Sequence, residues 1–484
     1  MSGALRGVYV DGAWRPGADE LVAVNPARPA EQLGRYALAG AADVDDALAA
    51  ARAALPAWRA RPGLERAELL HRAAAIVEQR SEQIAVALTR EEGKTIGEAR
   101  GEVRRGVGVL RYFAGEVSQP AGEVYQSAVE GRFLFTLQEP LGVVAVVTPW
   151  NFPVAIPLWK IAPALAFGNT VVWKPATPTP QSSVHVIEAL HDAGFPPGVV
   201  NLLLGGRSPV GQALVDAPGV DAISFTGSNP VGRAIERAAT ARGVKVQLEL
   251  GGKNPVVVLP DADVALAVRE TVRGAMLSTG QKCTATSRAI VVGDVADAFE
   301  QALLEAVRGL RVGDPLDPAV DVGPLVSAGQ RDAVAAHLDQ ARAEGLRVGA
   351  GGGLLERPDG GWFVEPTVYL DVDPRSPIAR EEIFGPVLAV MRAPDLDAAI
   401  ALANDVDFGL SASVFTRDVE AAFRFVRGVD AGLVHVNSET TGSETQVPFG
   451  GMKASSSHSR EQGRAARAFY TATKTVFLDM PAAA

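Results

Sequence analysis

The sequence predicts an α/β fold, in which a doubly wound parallel sheet is joined to a second α/β domain and a small exposed β arm. Three observations carry that prediction. From Gly142, runs rich in Val and Ile alternate with helix-like segments; a second series of the same kind begins at Pro255; and two stretches of alternating apolar and polar residues lie outside both. At 484 residues the chain is too long for one ordinary core, so two or three domains are expected.

Residues 43–118 carry Ala, Leu, Glu and Arg at helical spacing, as in 69-LLHRAAAIVEQRSEQIAVAL-88, and predict several helices. The first strand series then reads GVVAVVT, a helix near 154–167, TVVWK, a helix near 180–193, VVNLL, a short helix from Pro209, DAISFTG, a helix near 230–241 and VKVQLEL. Continuous Val/Ile runs of this kind suit strands covered on both faces. The second series gives PVVVL at 255–259, a helix near 263–277, RAIVV at 288–292 and a helix near 296–309. Segments 126–140 and 469–479 alternate like exposed two-stranded ribbons, which invite pairing with another subunit. The Gly-rich run 349–361 reads as a surface turn.

Composition narrows the function. A formal charge of −10 disfavours nucleic acid and anionic membrane surfaces as partners. One cysteine excludes an intramolecular disulfide and a multi-Cys zinc site, and the six His show no ligand spacing, so chemistry without a metal is expected. The N-terminal residues have no apolar signal core, and 143-VVAVVTPWNFPVAIPLW-159 is broken by prolines, which predicts a cytoplasmic protein.

Several positions could carry chemistry. The fingerprint GxGxxG after a strand is absent; Gly106 and Gly108 fall in a helical region. Instead 225-FTGSNPVG-232 ends a strand with Gly227, Ser228 and Gly232, where a diphosphate could approach a helix N-terminus, although a plain tight turn reads the same way. Lys174 and Glu249 sit at the ends of apolar strands, as ligand contacts or as surface and ion-pair residues. Asn151, between aromatics and prolines, could aim an amide or merely satisfy a turn. Cys283 stands among Gly, Thr, Ser, Gln and Lys rather than among Leu or Ile. Lys282 beside it could lower the thiol pKa, favouring a reactive thiolate over a quiet small hydrophobe, or merely reach solvent.

In order and spacing, TPWNFP, FTGSNPVG, LELGGK, GQKC, 382-EIFGPV-387 and 448-PFGGMK-453 resemble the NAD(P)-dependent aldehyde dehydrogenases over nearly the whole chain. Within that family, WKIAPALAFGNTVVWKPAT, MLSTGQKCTATSR and PFGGMKASSSHSREQG are most similar to the α-ketoglutaric semialdehyde (2,5-dioxopentanoate) dehydrogenases. The resemblance implies a Rossmann-variant nucleotide domain from 1–121 and 141–250, a catalytic domain from 251–454, and an oligomerisation arm from 122–140 and 455–484. It also implies a homodimer or homotetramer. Cys283 would attack the aldehyde, Asn151 and the Cys283 N–H would hold the oxyanion, and Glu249 would activate water to release the acid. Gly280 and Thr279 would allow the tight approach to the thiol. Lys174 would bind the adenosine ribose, Gly227 and Ser228 the diphosphate, and Glu382 the nicotinamide ribose, with Phe384 and Trp150 lining the cofactor cleft.

Departures from the family pattern sharpen the expectation. Thr177 stands where NAD-preferring members carry Glu, so NADP is expected to be used alongside NAD. Phe152, Trp159, Phe449 and Ser443 would line the substrate tunnel, and Arg105 or Arg104 at its mouth could clamp a substrate carboxylate. The alternatives are another polar aldehyde, such as succinic semialdehyde or a sugar-derived one, or a non-catalytic relative. The loop before Arg460 and Glu461 is one residue longer than the common pattern, so no proton relay is expected of Glu461.

Overall fold

The structure is a computed structural model, and it describes residues 5–480. A seven-stranded sheet runs Lys245–Glu249, Ala222–Thr226, Val143–Val147, Thr170–Lys174, Val200–Leu203, Val8–Val10 and Ala13–Arg15. The first five are parallel and the N-terminal pair is antiparallel, an edge that the sequence reading did not assign. Alternation divides each strand between two cores. Val144 and Val146 pack with the helices Gly63–Gln79, Ile96–Glu116, Ala155–Ala166 and Pro180–Asp192, whereas Val143 and Ala145 pack with Ala41–Ala60 and Asn229–Thr240.

Chain order reverses in this sheet between Val143–Val147 and its neighbour Ala222–Thr226, so a crevice opens beyond their carboxyl ends. The loops there are Thr148–Asn151 and Gly227–Ser228, two of the predicted motifs. The helix Ile96–Glu116 backs the crevice. It starts in a capping box, in which the Thr95 Oγ1 accepts from the Glu98 N–H and the Glu98 carboxylate accepts from the Thr95 N–H.

The second sheet runs Arg347–Ala350, Thr367–Leu370, Val387–Ala393, Thr286–Val292, Asn254–Val258, Ser411–Phe415 and Leu433–Val436. All are parallel except the first. Only Leu250–Lys253 separates the last strand of the first sheet from the first strand of the second. The second sheet therefore presents the amino ends of its strands to the crevice that the first sheet lines with carboxyl ends.

The two predicted ribbons form one three-stranded sheet. Arg132–Pro140 pairs with Thr471–Asp479 along its length and with Val124–Tyr125. Of the segment 455–484 grouped with the arm, Thr471–Asp479 lies in that sheet, but Ser456 bonds Glu249 and Glu461 pairs with Phe449, so 455–463 packs at the crevice. The glycine run 349–361 is a turn region interrupted by the short strand Leu354–Leu355. Among the described residues, no helix is long and apolar enough to cross a membrane.

Candidate active site

A cavity of ≈ 220 Å³ occupies the crevice, lined by Pro149, Trp150, Asn151, Thr226, Gly227, Ser228, Leu250, Gly251, Cys283, Gln330, Glu382 and Phe384. Seven of these were expected from the sequence: Trp150, Asn151, Gly227, Ser228, Cys283, Glu382 and Phe384. They come from loops far apart in the chain, and the two sheets bring them together.

The cysteine loop is held in an unusual backbone shape. The helix Val264–Met276 ends one residue earlier than its pattern predicts, and Ser278, Thr279 and Gly280 then take φ of +53°, +54° and +66°. Left-handed geometry in two successive non-glycine residues is costly and persists only where the surroundings enforce it. Here the Ser278 hydroxyl donates to Glu98 Oε1 (2.8 Å) and the Thr279 hydroxyl to the Gly323 carbonyl (3.1 Å). A Cβ on Gly280 would overlap the Gly385 carbonyl, so only glycine fits.

The expectation of an acidified thiol is overturned. Burial, then the charges of Glu382 and Glu249, push Cys283 up to about 12, against the opposing pull of the backbone N–H groups of Thr284 and Cys283. Lys282 does not offset them: its ammonium is buried and donates to the Arg273 carbonyl at 3.3 Å. These surroundings favour the neutral thiol over the thiolate.

Asn151 is buried and its Nδ2 donates to the Gln281 carbonyl at 2.9 Å, which ties its amide to the cysteine loop. Glu249 is buried at the end of its strand, accepting from Ser456 Oγ at 2.7 Å through Oε2. Its Oε1 has no partner among the described residues. Burial, then the charge of Glu461, raises the Glu249 pKa well above the usual carboxylate range. Glu461 itself forms a buried ion pair with Lys160 and accepts from the Trp159 indole at 2.8 Å.

On the cofactor side, Ser228 is the N-cap of the helix Asn229–Thr240, yet its side chain makes no capping bond, which leaves the first-turn N–H groups open to an anion. A Cβ on Gly227 would crowd the Phe225 ring (2.6 Å). Glu382 accepts from the Gly252 N–H at 3.0 Å, and burial raises it to about 7. Phe384, at φ +57°, meets Trp150 edge to face with centroids 5.4 Å apart. Lys174 and Thr177 lie outside the cavity lining: the Lys174 ammonium donates to the Pro175 carbonyl (3.1 Å) and burial lowers it to about 8, while Thr177 sits half-buried in the following turn.

The five expected substrate residues also lie outside that lining, and four of them form a second group. Trp159 and Phe449 stack at 5.7 Å, and the Arg105 guanidinium lies 5.5 Å over Trp159. Arg105 donates to both the hydroxyl (2.6 Å) and the carbonyl of Ser443, and to Gln462 (3.0 Å). Arg104 is exposed, whereas Arg105 is half-buried within this group. Phe152 instead sits beneath the Lys94 ammonium at 4.0 Å.

Sequence reasoning missed Gln330, Leu250, Lys94, Glu102 and Ser456. Gln330 donates from a helix to the Phe384 carbonyl at 3.0 Å and fixes the turn beside the cavity. Ser456 had a legible signal, the polar run ASSSHS directly after PFGGMK. Gln330 had none, since one polar residue in an amphipathic helix is ordinary.

The comparisons with known proteins agree with this architecture. A family model described as "Aldehyde dehydrogenase family" matches residues 14–476. The alpha-ketoglutaric semialdehyde dehydrogenase of Bacillus subtilis is 47% identical over 97% of each chain, and the 2,5-dioxopentanoate dehydrogenase of Saccharolobus solfataricus is 42% identical over 96% of this chain and 97% of that one. The solved structure of betaine aldehyde dehydrogenase from Staphylococcus aureus in complex with NAD+ superposes with TM-score 0.96 at 34% identity, covering all of this chain and 96% of that one. By its fold, by the residues gathered around Cys283 and by these likenesses, the chain belongs to the aldehyde dehydrogenase family.

Proposed function

We propose that the protein oxidises α-ketoglutaric semialdehyde to 2-oxoglutarate with NAD or NADP, through a thioester on Cys283. One observation carries the chemistry: a buried carboxylate with a free oxygen, Glu249, lies in electrostatic reach of a half-buried thiol that shares its cavity with Asn151. A thiol held near 12 needs a proton acceptor, and Glu249 supplies one. The proton passes from Sγ to the carboxylate as sulfur bonds the aldehyde carbon, and the oxyanion is met by the Asn151 amide and the Cys283 N–H. When bound, the nicotinamide accepts the hydride. Having released the thiol proton to solvent, Glu249 takes a proton from water as the water oxygen bonds the thioester carbon; the C–S bond then breaks, the leaving thiolate takes that proton back from Glu249, and the acid departs.

The cavity fits the nucleotide. The uncapped helix at Ser228 suits a diphosphate, Glu382 suits ribose hydroxyls, and the Lys174 ammonium is spent on nothing stronger than its neighbour's carbonyl. Thr177 places no carboxylate against a 2′-phosphate, so both cofactors are expected to work; an NAD preference above roughly a hundredfold in kcat/KM would sink that part. The S. aureus and B. subtilis relatives point to different substrates. Arg105 favours the anionic semialdehyde over a quaternary ammonium, because a half-buried guanidinium attracts a carboxylate and repels a cation. Exposed Phe133, Leu137, Phe477 and Leu478 on the three-stranded sheet support self-association as a dimer or tetramer. A lone working thiol fits a reducing cytoplasm.

The test is an absorbance screen at the NAD(P)H band with a dozen aldehydes and each cofactor. 2,5-Dioxopentanoate should give the highest kcat/KM and free acid without added coenzyme A. A faster neutral or cationic aldehyde removes the substrate assignment, and silence across the panel removes the enzyme.

A further inference from the structure

We propose that Lys94 is a positioning residue that sets the oxyanion-binding amide by fixing the backbone of Asn151; the proposal rests on reading Asn151 as an oxyanion donor. Lys94 is 1% exposed, on the turn before the helix Ile96–Glu116. Its ammonium donates to the Asn151 carbonyl and to Glu102 Oε2, both at 2.6 Å. Glu102, also buried, spends its other oxygen on the N–H groups of Val154 and Ala155 at 2.8 and 3.1 Å, which start the helix Ala155–Ala166. One ion pair therefore holds the asparagine loop twice, at the carbonyl of Asn151 and at the turn that follows it.

With its main chain fixed, Asn151 gives one amide hydrogen to the Gln281 carbonyl, two residues before the nucleophile. The second has no partner among the described residues. The same short stretch holds the opposite wall, since Glu98 accepts from Ser278 in the strained cysteine loop. Residues 94–102 thus fasten both loops that must meet around the aldehyde. Burying an ion pair is a costly way to stabilise a fold, and an apolar pair of similar size would fill the space at least as well. The charge has a specific task here: an ammonium can satisfy a backbone carbonyl and a carboxylate together, which no apolar side chain does. Glu92 lies at 4.0 Å and adds only a weak third interaction.

The experiment is a double-mutant cycle on Lys94→Met and Asn151→Ala, with kcat and KM measured on 2,5-dioxopentanoate or the fastest aldehyde of the screen. Asn151→Ala should lower kcat by ~10²–10³-fold. Lys94→Met should lower it by ~10²-fold with KM for both substrates nearly unchanged, the cost of a displaced catalytic group. The double variant should be no slower than Asn151→Ala alone. Iodoacetamide alkylation of Cys283, which needs no oxyanion site, should proceed in Lys94→Met at the wild-type rate. Losses that multiply in the double variant, or slowed alkylation, overturn the proposal and leave the role of Asn151 standing. Full activity in Asn151→Ala overturns both. If Lys94→Met does not fold, Glu102→Gln replaces it in the cycle, since the amide oxygen still caps Val154 and Ala155 while the charge facing Lys94 is gone; coupling to Asn151→Ala is again expected, and its absence overturns the proposal.

Discussion

The two large sheets meet the same cavity with opposite ends of their strands. The first presents carboxyl ends, and Asn151, Gly227 and Glu249 follow or close its strands in relaxed backbone. The second presents amino ends, and Gly251, Cys283, Glu382 and Phe384 precede its strands, with φ values of +53°, +54°, +66° and +57° at Ser278, Thr279, Gly280 and Phe384. Carboxyl ends of a doubly wound sheet form a ready-made crevice that any nucleotide can use. Amino ends do not, so the second sheet delivers its groups through strained turns held by outside hydrogen bonds. The difference divides the cavity between strand ends in ordinary backbone on one wall and left-handed turns on the other.

The most severe way to break that division is Cys283→Ser. It should abolish aldehyde oxidation, a loss of roughly 10⁶-fold in kcat, and remove even the first turnover while the melting temperature holds. Glu249→Gln should be gentler, with steady-state kcat falling ~10²–10⁴-fold. The assay that sharpens the comparison is a stopped-flow burst, because a single turnover of NAD(P)H should persist if another acceptor takes the thiol proton and vanish if Glu249 is the only one. Arg105→Ala, on the helix behind both walls, should raise KM for 2,5-dioxopentanoate about 10–100-fold and leave kcat near wild type, as loss of a charged hydrogen bond would. An unchanged KM would show that the guanidinium serves only Ser443 and Trp159.

The smallest effect concerns pH. Because the folded thiol is raised to about 12, the thiolate fraction of the free protein is small at pH 7 and grows about tenfold per unit, so alkylation should climb through pH 10 with no plateau near 8.5. Lys282→Ala should leave that profile where it is. A plateau below 9, or a shift in the lysine variant, would restore Lys282 as the acidifying group.

This contrast also explains what could be read from the sequence. The strands from Val143 to Glu249 were legible because their residues are mostly buried and apolar, and the site residues at their ends obey a topological rule. Cys283 obeyed no such rule; its polar neighbours only raised the question, and the resemblance of GQKC and LELGGK to a known family assigned it a role. Its raised pKa was invisible because Glu382, which contributes to it, lies about a hundred residues further along the chain. The N-terminal edge pair Val8–Val10 and Ala13–Arg15 was missed because three-residue strands carry too few residues to show a period. Lys94 looked like any lysine in a polar turn, and only tertiary packing makes it a buried cation.

Leu250–Lys253 joins the sheets across the floor of the cavity. Four residues span at most about 14 Å when fully extended, so the two halves are bound like the boards of a book at its spine. That short join limits how far apart the walls can stand beside it. Glu249 adjoins the join, next to Leu250 and Gly251, so substitutions at the far rim of the crevice act at a distance from it.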